Sequence, residues 1–111
     1  MSESLARFKL VFFSPAPNTR AILDHLFTAF PAHVGKIGNY ERCAFLTRGI
    51  GQFAPTVDAN PAIGTVGALE QVEEDRVEVL VLERVREVVA ALKDVHPYEE
   101  VAYDVYKLEN Y

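Results

Sequence analysis

The sequence has 111 residues, of which 50% are hydrophobic and 24% are charged, a composition that suits one domain over residues 1–111 with a core large enough to fold unaided. Its formal net charge is −5 and its basic residues form no stripe, which argues against a nucleic-acid partner. The single cysteine, Cys43, excludes an internal disulfide and a cysteine-based zinc site.

The first part of the chain predicts a strand followed by a helix. RFKLVFF, from Arg7 to Phe13, is short, apolar and rich in aromatic and branched residues, and SPAP ends it. Pro15 and Pro17 suit the first turn of a helix, and Pro31 closes it. Between them, apolar residues recur at the three-and-four spacing of one buried helical face: Ile22, Leu23, Leu26, Phe27 and Phe30.

The rest of the chain predicts two strands, a second helix and a last strand. RCAFLTR, from Arg42 to Arg48, is the second strand, and QVEEDRVEVLVLE leads into a third in which alternate valines share one face. A helix from Glu83 to Val95 and a strand from Val101 to Leu108 follow. This order predicts an α+β, ferredoxin-like βαββαβ fold, with an antiparallel sheet and two helices on one face.

The second face of the sheet is also apolar. Helices on one side can cover Phe8, Leu10 and Phe12, but the alternate positions include Val11, Phe13, Leu80 and Leu82. We expect another copy of the chain to cover this face, since burial of each such side chain stabilises by roughly 1.5 to 3 kcal/mol. The alternative is that the segment from Gly49 to Gly67 folds back over it.

Three stretches of sequence carry a family resemblance. GKIGNYERCAF (Gly35–Phe45), the stretch from GIGQF to VEVLV (Gly49–Val81) and AALKDVHPYEEVAYDVYKLEN (Ala90–Asn110) resemble the inserted, PII-like domain of the Nif-three-like proteins, in a stand-alone version. The resemblance implies the fold of PII and CutA proteins and a homotrimer built by joining sheets. The dinuclear metal site of the full-length family lies in another domain, whose ligands have no counterpart here, so its chemistry does not carry over.

HPYEE, from His96 to Glu100, is the most polar candidate site. His96, Glu99 and Glu100 are a possible divalent-metal or proton-transfer site, although glutamates at successive strand positions point to opposite faces, so another subunit would have to supply ligands. Pro97 disfavours helical angles at His96, and the alternative is a helix stop at which His96 and Tyr98 satisfy backbone groups. No cofactor is required by the sequence.

A long segment without periodicity is the other candidate. Loops of this length are often binding loops, and the tentative ligand-binding residues are Gly49, Gly51, Gln52, Asn60, Gly64 and Tyr98. The alternative is a wide hairpin whose glycines supply turn angles while Ile50, Phe53 and Ile63 pack on the sheet. The acidic run Glu70, Glu73, Glu74 and Asp75 is interpreted as a solvated edge.

No catalytic residue is assigned. Cys43 has no adjacent base in the sequence, and a lone strand cysteine is usually a small core side chain. The start, MSESLARFKL, lacks the pattern of a secretory signal, and no apolar run is long enough to span a bilayer, so we expect a cytoplasmic protein with no membrane partner.

Three functions remain open at this point. The first is a regulatory or ligand-binding module that holds a small molecule or ion in clefts between subunits of the trimer. The second is a metal-binding protein or metal-dependent hydrolase, with His96 and Glu99 or Glu100 at a subunit boundary. The third is a purely structural or interaction module.

Overall fold

A computed structural model describes residues 5–111 of the chain. The first four residues, on which part of the single-domain and signal-segment predictions falls, lie outside the described residues. The elements are β1 (Arg7–Pro15), a short 3-10 turn (Ala16–Asn18), α1 (Thr19–Ala29), β2 (Phe45–Phe53), β3 (Glu70–Leu82), α2 (Val85–Val95) and β4 (Tyr103–Leu108). No helix in residues 5–111 is long and apolar enough to cross a membrane.

The four strands form one antiparallel sheet in the order β2-β3-β1-β4, which confirms the predicted ferredoxin-like fold. The register opposes Phe8 to Val81, Leu10 to Val79 and Phe12 to Val77, so these six side chains lie on the face that the two helices cover. The core combines this face with the apolar stripes of both helices, namely Ile22, Leu23, Leu26, Phe27, Val88 and Leu92.

The second strand is longer than predicted and begins later, at Phe45 rather than Arg42. Residues 33–43 are instead a packed connection, in which the Gly35 amide donates to the Leu80 carbonyl at 2.8 Å. Gly35 has φ +74°, and a Cβ there would lie 2.6 Å from the Phe27 ring. RCAFLTR has the composition of a strand throughout, but its first three residues precede β2 and only its last four, from Phe45, belong to it.

Other predicted boundaries also move. The first strand continues to Pro15 instead of ending at Phe13, so Ser14 and Pro15 of SPAP belong to β1. The second helix begins at Val85, not Glu83, because Glu83 and Arg84 adopt left-handed φ angles of 54° and 40°. The last strand begins at Tyr103, not Val101, because residues 96–102 first cross the end of the sheet, where the Phe13 amide donates to the Ala102 carbonyl at 3.2 Å. This crossing brings HPYEE beside the last residues of β1.

The sheet face opposite the helices, here called the open face, is only partly covered. Two segments cover one end of it, the end at which Phe13 and Glu74 lie. They are residues 54–69, which connect β2 to β3, and residues 96–102. Towards the edge strands, Phe45 of β2 remains 68% exposed and Tyr106 of β4 is 53% exposed. The alternative that the middle segment folds back over this face therefore holds at one end of the sheet and not across its width.

Candidate functional site

A cavity of about 460 Å³ lies at the covered end of the open face. It forms within one chain, between β2, the 54–69 connection and the 96–102 crossing. Its lining consists of Phe13, Gly51, Gln52, Phe53, Ala54, Pro55, Thr56, Ala59, Pro61, Ala62, Ile63, Glu74, Tyr98, Glu99, Glu100 and Ala102. Most of these side chains are apolar, and a few polar groups converge among them, which is the usual make-up of a small-molecule pocket.

His96 holds the crossing segment against the sheet. Its Nδ1 accepts a hydrogen bond from the Tyr98 amide at 3.0 Å, and its Nε2 lies 2.7 Å from the Phe13 carbonyl. The backbone amide can only donate and the carbonyl can only accept, so these contacts assign the neutral tautomer with hydrogen on Nε2. Burial lowers the pKa of His96, outweighing the Phe13 hydrogen bond and the charge of Glu74, which raise it. His96 therefore occupies the structural position that the helix-stop alternative describes.

Tyr98 links this segment to the floor of the cavity. Its hydroxyl donates to Glu74 Oε2 at 2.9 Å, and its ring packs edge-on against Phe53 with 5.9 Å between centroids. Burial raises the pKa of the Tyr98 hydroxyl, and the hydrogen bond to Glu74 and the charge of Glu74 raise it further. Tyr98 therefore stays protonated at physiological pH and keeps donating to the carboxylate.

Glu74 is the residue of this site that the sequence reasoning missed. It was interpreted as part of a solvated acidic edge, but only 8% of it is exposed, and the neighbouring Asp75 is 4% exposed. The alternation of β3 places Asp75 on the helix face and Glu74 on the open face. The signal available in the sequence was Gly51 in the opposing strand, which leaves room for a side chain above it.

Asp75 and Glu74 differ in their partners, because an arginine pairs with Asp75 and none pairs with Glu74 within residues 5–111. Arg48 donates to Asp75 Oδ1 at 2.7 Å and to Glu73 Oε1 at 3.0 Å. Burial alone raises the pKa of Asp75, but hydrogen bonds from Arg48 and Thr19 and the charge of Arg48 outweigh it and leave that pKa lowered. Glu74 forms no salt bridge within residues 5–111.

Gly51 is required by contact and not by backbone angle. It lies within β2 rather than in a loop, and a Cβ at this position would overlap the Glu74 carboxylate. Gly49, two positions earlier, has no atom within 4 Å of the place a Cβ would occupy. The alternative that the glycines supply turn angles therefore fails for Gly49 and Gly51, whereas Gly64, in the connection, does have a positive φ of 92°.

The structure brings together most of the sequence-predicted candidates. Gly51, Gln52, Tyr98, Glu99 and Glu100 line the cavity. Asn60 lies just behind it, where its backbone amide donates to Glu99 Oε1 at 2.9 Å and ties the connection to HPYEE. Besides Asn60, three candidates do not line the cavity, namely Gly49, Gly64 and His96.

The metal hypothesis requires rearrangement of these contacts. Both nitrogens of His96 are already engaged, and one oxygen of Glu99 accepts from Asn60. In the part of the chain that the structure describes, no group of three or more His, Cys, Asp or Glu side chains has the geometry to hold a metal ion. The Cys43 thiol lies 3.8 Å from the Glu41 carbonyl, in the connection before β2, and forms no hydrogen bond to His96 or Glu99 among residues 5–111.

Known proteins resemble the chain in both sequence and structure. No family model matches it. It is 46% identical over 110 residues to a GTP cyclohydrolase 1 type 2 homolog from Halalkalibacterium halodurans, an alignment that includes 98% of this chain and 28% of that protein. A Bacillus cereus protein related to NIF3 superposes with a TM-score of 0.79 at 37% identity, over 98% of this chain and 27% of that one. The chain thus spans just over a quarter of the length of these relatives.

More distant structures share the fold alone. The periplasmic divalent cation tolerance protein CutA from Archaeoglobus fulgidus superposes with a TM-score of 0.65 at 15% identity, over 94% of this chain and 85% of that one. GlnK from B. subtilis, solved as an ATP complex, superposes with a TM-score of 0.57 at 18% identity, over 96% of this chain and 85% of GlnK. These matches agree with the PII-like and CutA-like fold predicted from the sequence.

Proposed function

Because this chain belongs to the NIF3-related proteins and corresponds to their PII/CutA-like segment, we propose that it is a regulatory module that binds a small molecule in the cavity at the covered end of its open face. The single observation that carries the proposal is the cavity itself, which three separate parts of the chain build around one buried carboxylate. A structural module would have no use for such a cavity, since filling it with larger apolar side chains would stabilise the fold.

The cavity is also placed where a ligand would change the protein. It is closed by two irregular segments, residues 54–69 and 96–102, which meet through the bond between Asn60 and Glu99. A ligand that touches both segments would stabilise their closed arrangement, and the surface they present would change with occupancy. Such a change of surface with occupancy is the physical basis for a regulatory role. Among residues 5–111, no nucleophile with an adjacent base lines the cavity, which is why a catalytic role is not proposed.

We further propose that the protein is a homotrimer, joined through the rest of the open face. The exposed apolar side chains Phe45 and Tyr106 lie on that face, beside the partly buried Leu80 and Leu82. The trimer implied by the sequence resemblance would place a neighbouring subunit beside the mouth of the cavity. Ligand binding and assembly would then be linked, because the two share one face of the sheet.

A screen of small molecules by thermal shift tests the site directly. Ala62 lines the cavity, whereas Ala68, another exposed alanine of the same connection, does not. We expect Ala62→Trp to fill the cavity and Ala68→Trp to leave it open. A ligand present at about 100 times its Kd should stabilise the wild type and Ala68→Trp by about 2.7 kcal/mol and leave the melting temperature of Ala62→Trp unchanged. A ligand that stabilises all three proteins equally would place the site elsewhere.

A further inference from the structure

The charges that line the cavity identify the class of ligand. Among residues 5–111, the charged residues that line it are three glutamates, Glu74 on the floor and Glu99 and Glu100 in the crossing segment. No lysine, arginine or histidine of the described part of the chain lines it. A phosphate or carboxylate ligand would meet like charges with no compensating cation, so this lining disfavours anions.

Only one of the two carboxylate oxygens of Glu74 accepts a hydrogen bond from the described residues. Its Oε2 accepts from the Tyr98 hydroxyl, but its Oε1 accepts no hydrogen bond from the described residues and lies over Gly51. Two arginines of the sheet are near Glu74 and both have other partners. Arg48 is engaged on the helix face by Glu73 and Asp75, and Arg76, two residues along β3 on the open face, lies 3.7 Å from Glu78. No fully buried side-chain oxygen among residues 5–111 lacks a hydrogen-bond partner, so Glu74 Oε1 is open to the cavity, and a charged donor that enters there would pair with it.

The remaining lining suits the body of an organic cation. Phe13, Phe53, Pro55, Pro61 and Ile63 supply apolar walls, and the Phe53 ring can also attract a cation through its face. The Tyr98 oxygen, whose hydrogen is directed to Glu74, still has lone pairs for a second donor. A bare metal ion would gain little here, since no group of three metal-capable side chains converges in residues 5–111.

We propose that the cavity binds a small organic cation, an amine or guanidinium compound with an apolar body, whose charged group pairs with Glu74 Oε1 and whose body packs against Phe53 and Ile63. This inference rests on the proposed function, because it specifies the ligand of the same cavity. Glu99 and Glu100 would add to the negative potential that attracts the cation.

Three probes that share one aromatic body separate charge from shape: phenethylamine, 2-phenylethanol and 3-phenylpropionate. Titration calorimetry with the intact protein should give phenethylamine the highest affinity, at least about tenfold above the alcohol, and no measurable binding of the carboxylate. Added sodium chloride should weaken phenethylamine binding and leave the alcohol unaffected, a test that needs no variant.

Glu74→Gln tests the assigned partner, and Glu73→Gln is its matched control on the other face of the same strand. We expect Glu74→Gln to lower the affinity for phenethylamine about tenfold while Glu73→Gln changes it little, because Glu74 lines the cavity and Glu73 does not. Equal affinities for the amine and the alcohol, or an unchanged affinity in Glu74→Gln, would overturn the inference.

The remaining outcomes distinguish this inference from the proposed function. If all three probes bind equally and Ala62→Trp abolishes their binding, the cavity is a ligand site but the cationic class is wrong. Failure of all three probes to bind would contradict the inference, and the broader screen would still decide the proposed function. If Glu74→Gln dissociates an oligomer and leaves amine binding unchanged, a basic side chain of a second copy is the partner of Glu74, which also overturns it.

Discussion

At the scale of single residues, His96 and Glu74 show what sequence reasoning could reach. The helix-stop alternative placed His96 at a junction where it satisfies backbone groups, and its two ring nitrogens are engaged in that way. Glu74 could not be assigned, because burial of one glutamate in an acidic run depends on which strand faces it and on Gly51 beneath it. Both facts are long-range and leave little trace in the local sequence.

Removal of the His96 side chain should destabilise the protein more than loss of one hydrogen bond. His96→Ala leaves the partly buried Phe13 carbonyl and Tyr98 amide without their His96 partner, so we expect a loss of about 2 to 3 kcal/mol in the free energy of unfolding. His25→Ala, at an exposed position of α1, should change stability by less than about 0.5 kcal/mol. Denaturant titration of both variants measures this, and equal small losses would contradict the structural role of His96.

The same residue predicts a dependence of stability on pH. Burial lowers the pKa of His96 in the folded protein, so its stabilising contribution is complete above the unfolded value of about 6.5 and is lost as pH falls through the lower folded value. His96→Gln lacks this titration, so its melting temperature should fall less than that of the wild type between about pH 7.5 and pH 5. A parallel fall in both proteins would show that other groups control acid stability.

At the scale of elements, periodicity predicted the helices and failed for the second strand. The stripes of α1 and α2 are local patterns, and the structure places both where three-and-four spacing indicated, within two or three residues at their ends. Gly49 and Gly51 favoured a loop after Arg48, yet they lie inside β2. Packing against Glu74 explains Gly51, and such a contact between strands cannot be read from the glycine alone.

Substitution of these two glycines provides a direct comparison. Gly51→Ala forces the Glu74 carboxylate to move and should destabilise the protein by about 1 to 3 kcal/mol. Gly49→Ala meets open space and should be neutral or stabilising by up to about 1 kcal/mol, since alanine loses less backbone entropy in a strand. Similar unfolding free energies for the two variants would contradict the close approach of Gly51 and Glu74.

At the scale of the whole molecule, the chain is elongated, with extents of 57 × 24 × 23 Å. Strand β3 pairs with β1 only as far as Pro15 and Glu74, but it pairs with β2 four residues further, to Phe53 and Glu70. This two-stranded extension lengthens the molecule at the end that holds the cavity. The opposite end of the open face keeps its exposed apolar side chains. One face of the sheet therefore carries both the ligand cavity and the surface proposed for self-association.

The proposed trimer predicts that charge on the open face will dissociate it. Phe45→Glu places a carboxylate on this face, whereas Ile50→Glu places one on the helix side of the same strand, at a residue that is 65% exposed. Light scattering should give a trimer for the wild type and Ile50→Glu and a smaller species for Phe45→Glu, since burying an unpaired charge is costly. A wild type that is monomeric at every concentration would contradict the assembly.

The central claim is that the cavity at the covered end of the open face is a site for a small organic cation, and amide chemical shifts measured during titration with phenethylamine test it most directly. The account predicts that the largest shifts arise at Gly51, Asn60, Tyr98 and their neighbours, because these residues line or close the cavity. The basin between α1 and β2, which includes Arg20 and Ala44, is the internal control. Shifts centred on that basin, or none at the cavity, would contradict the claim.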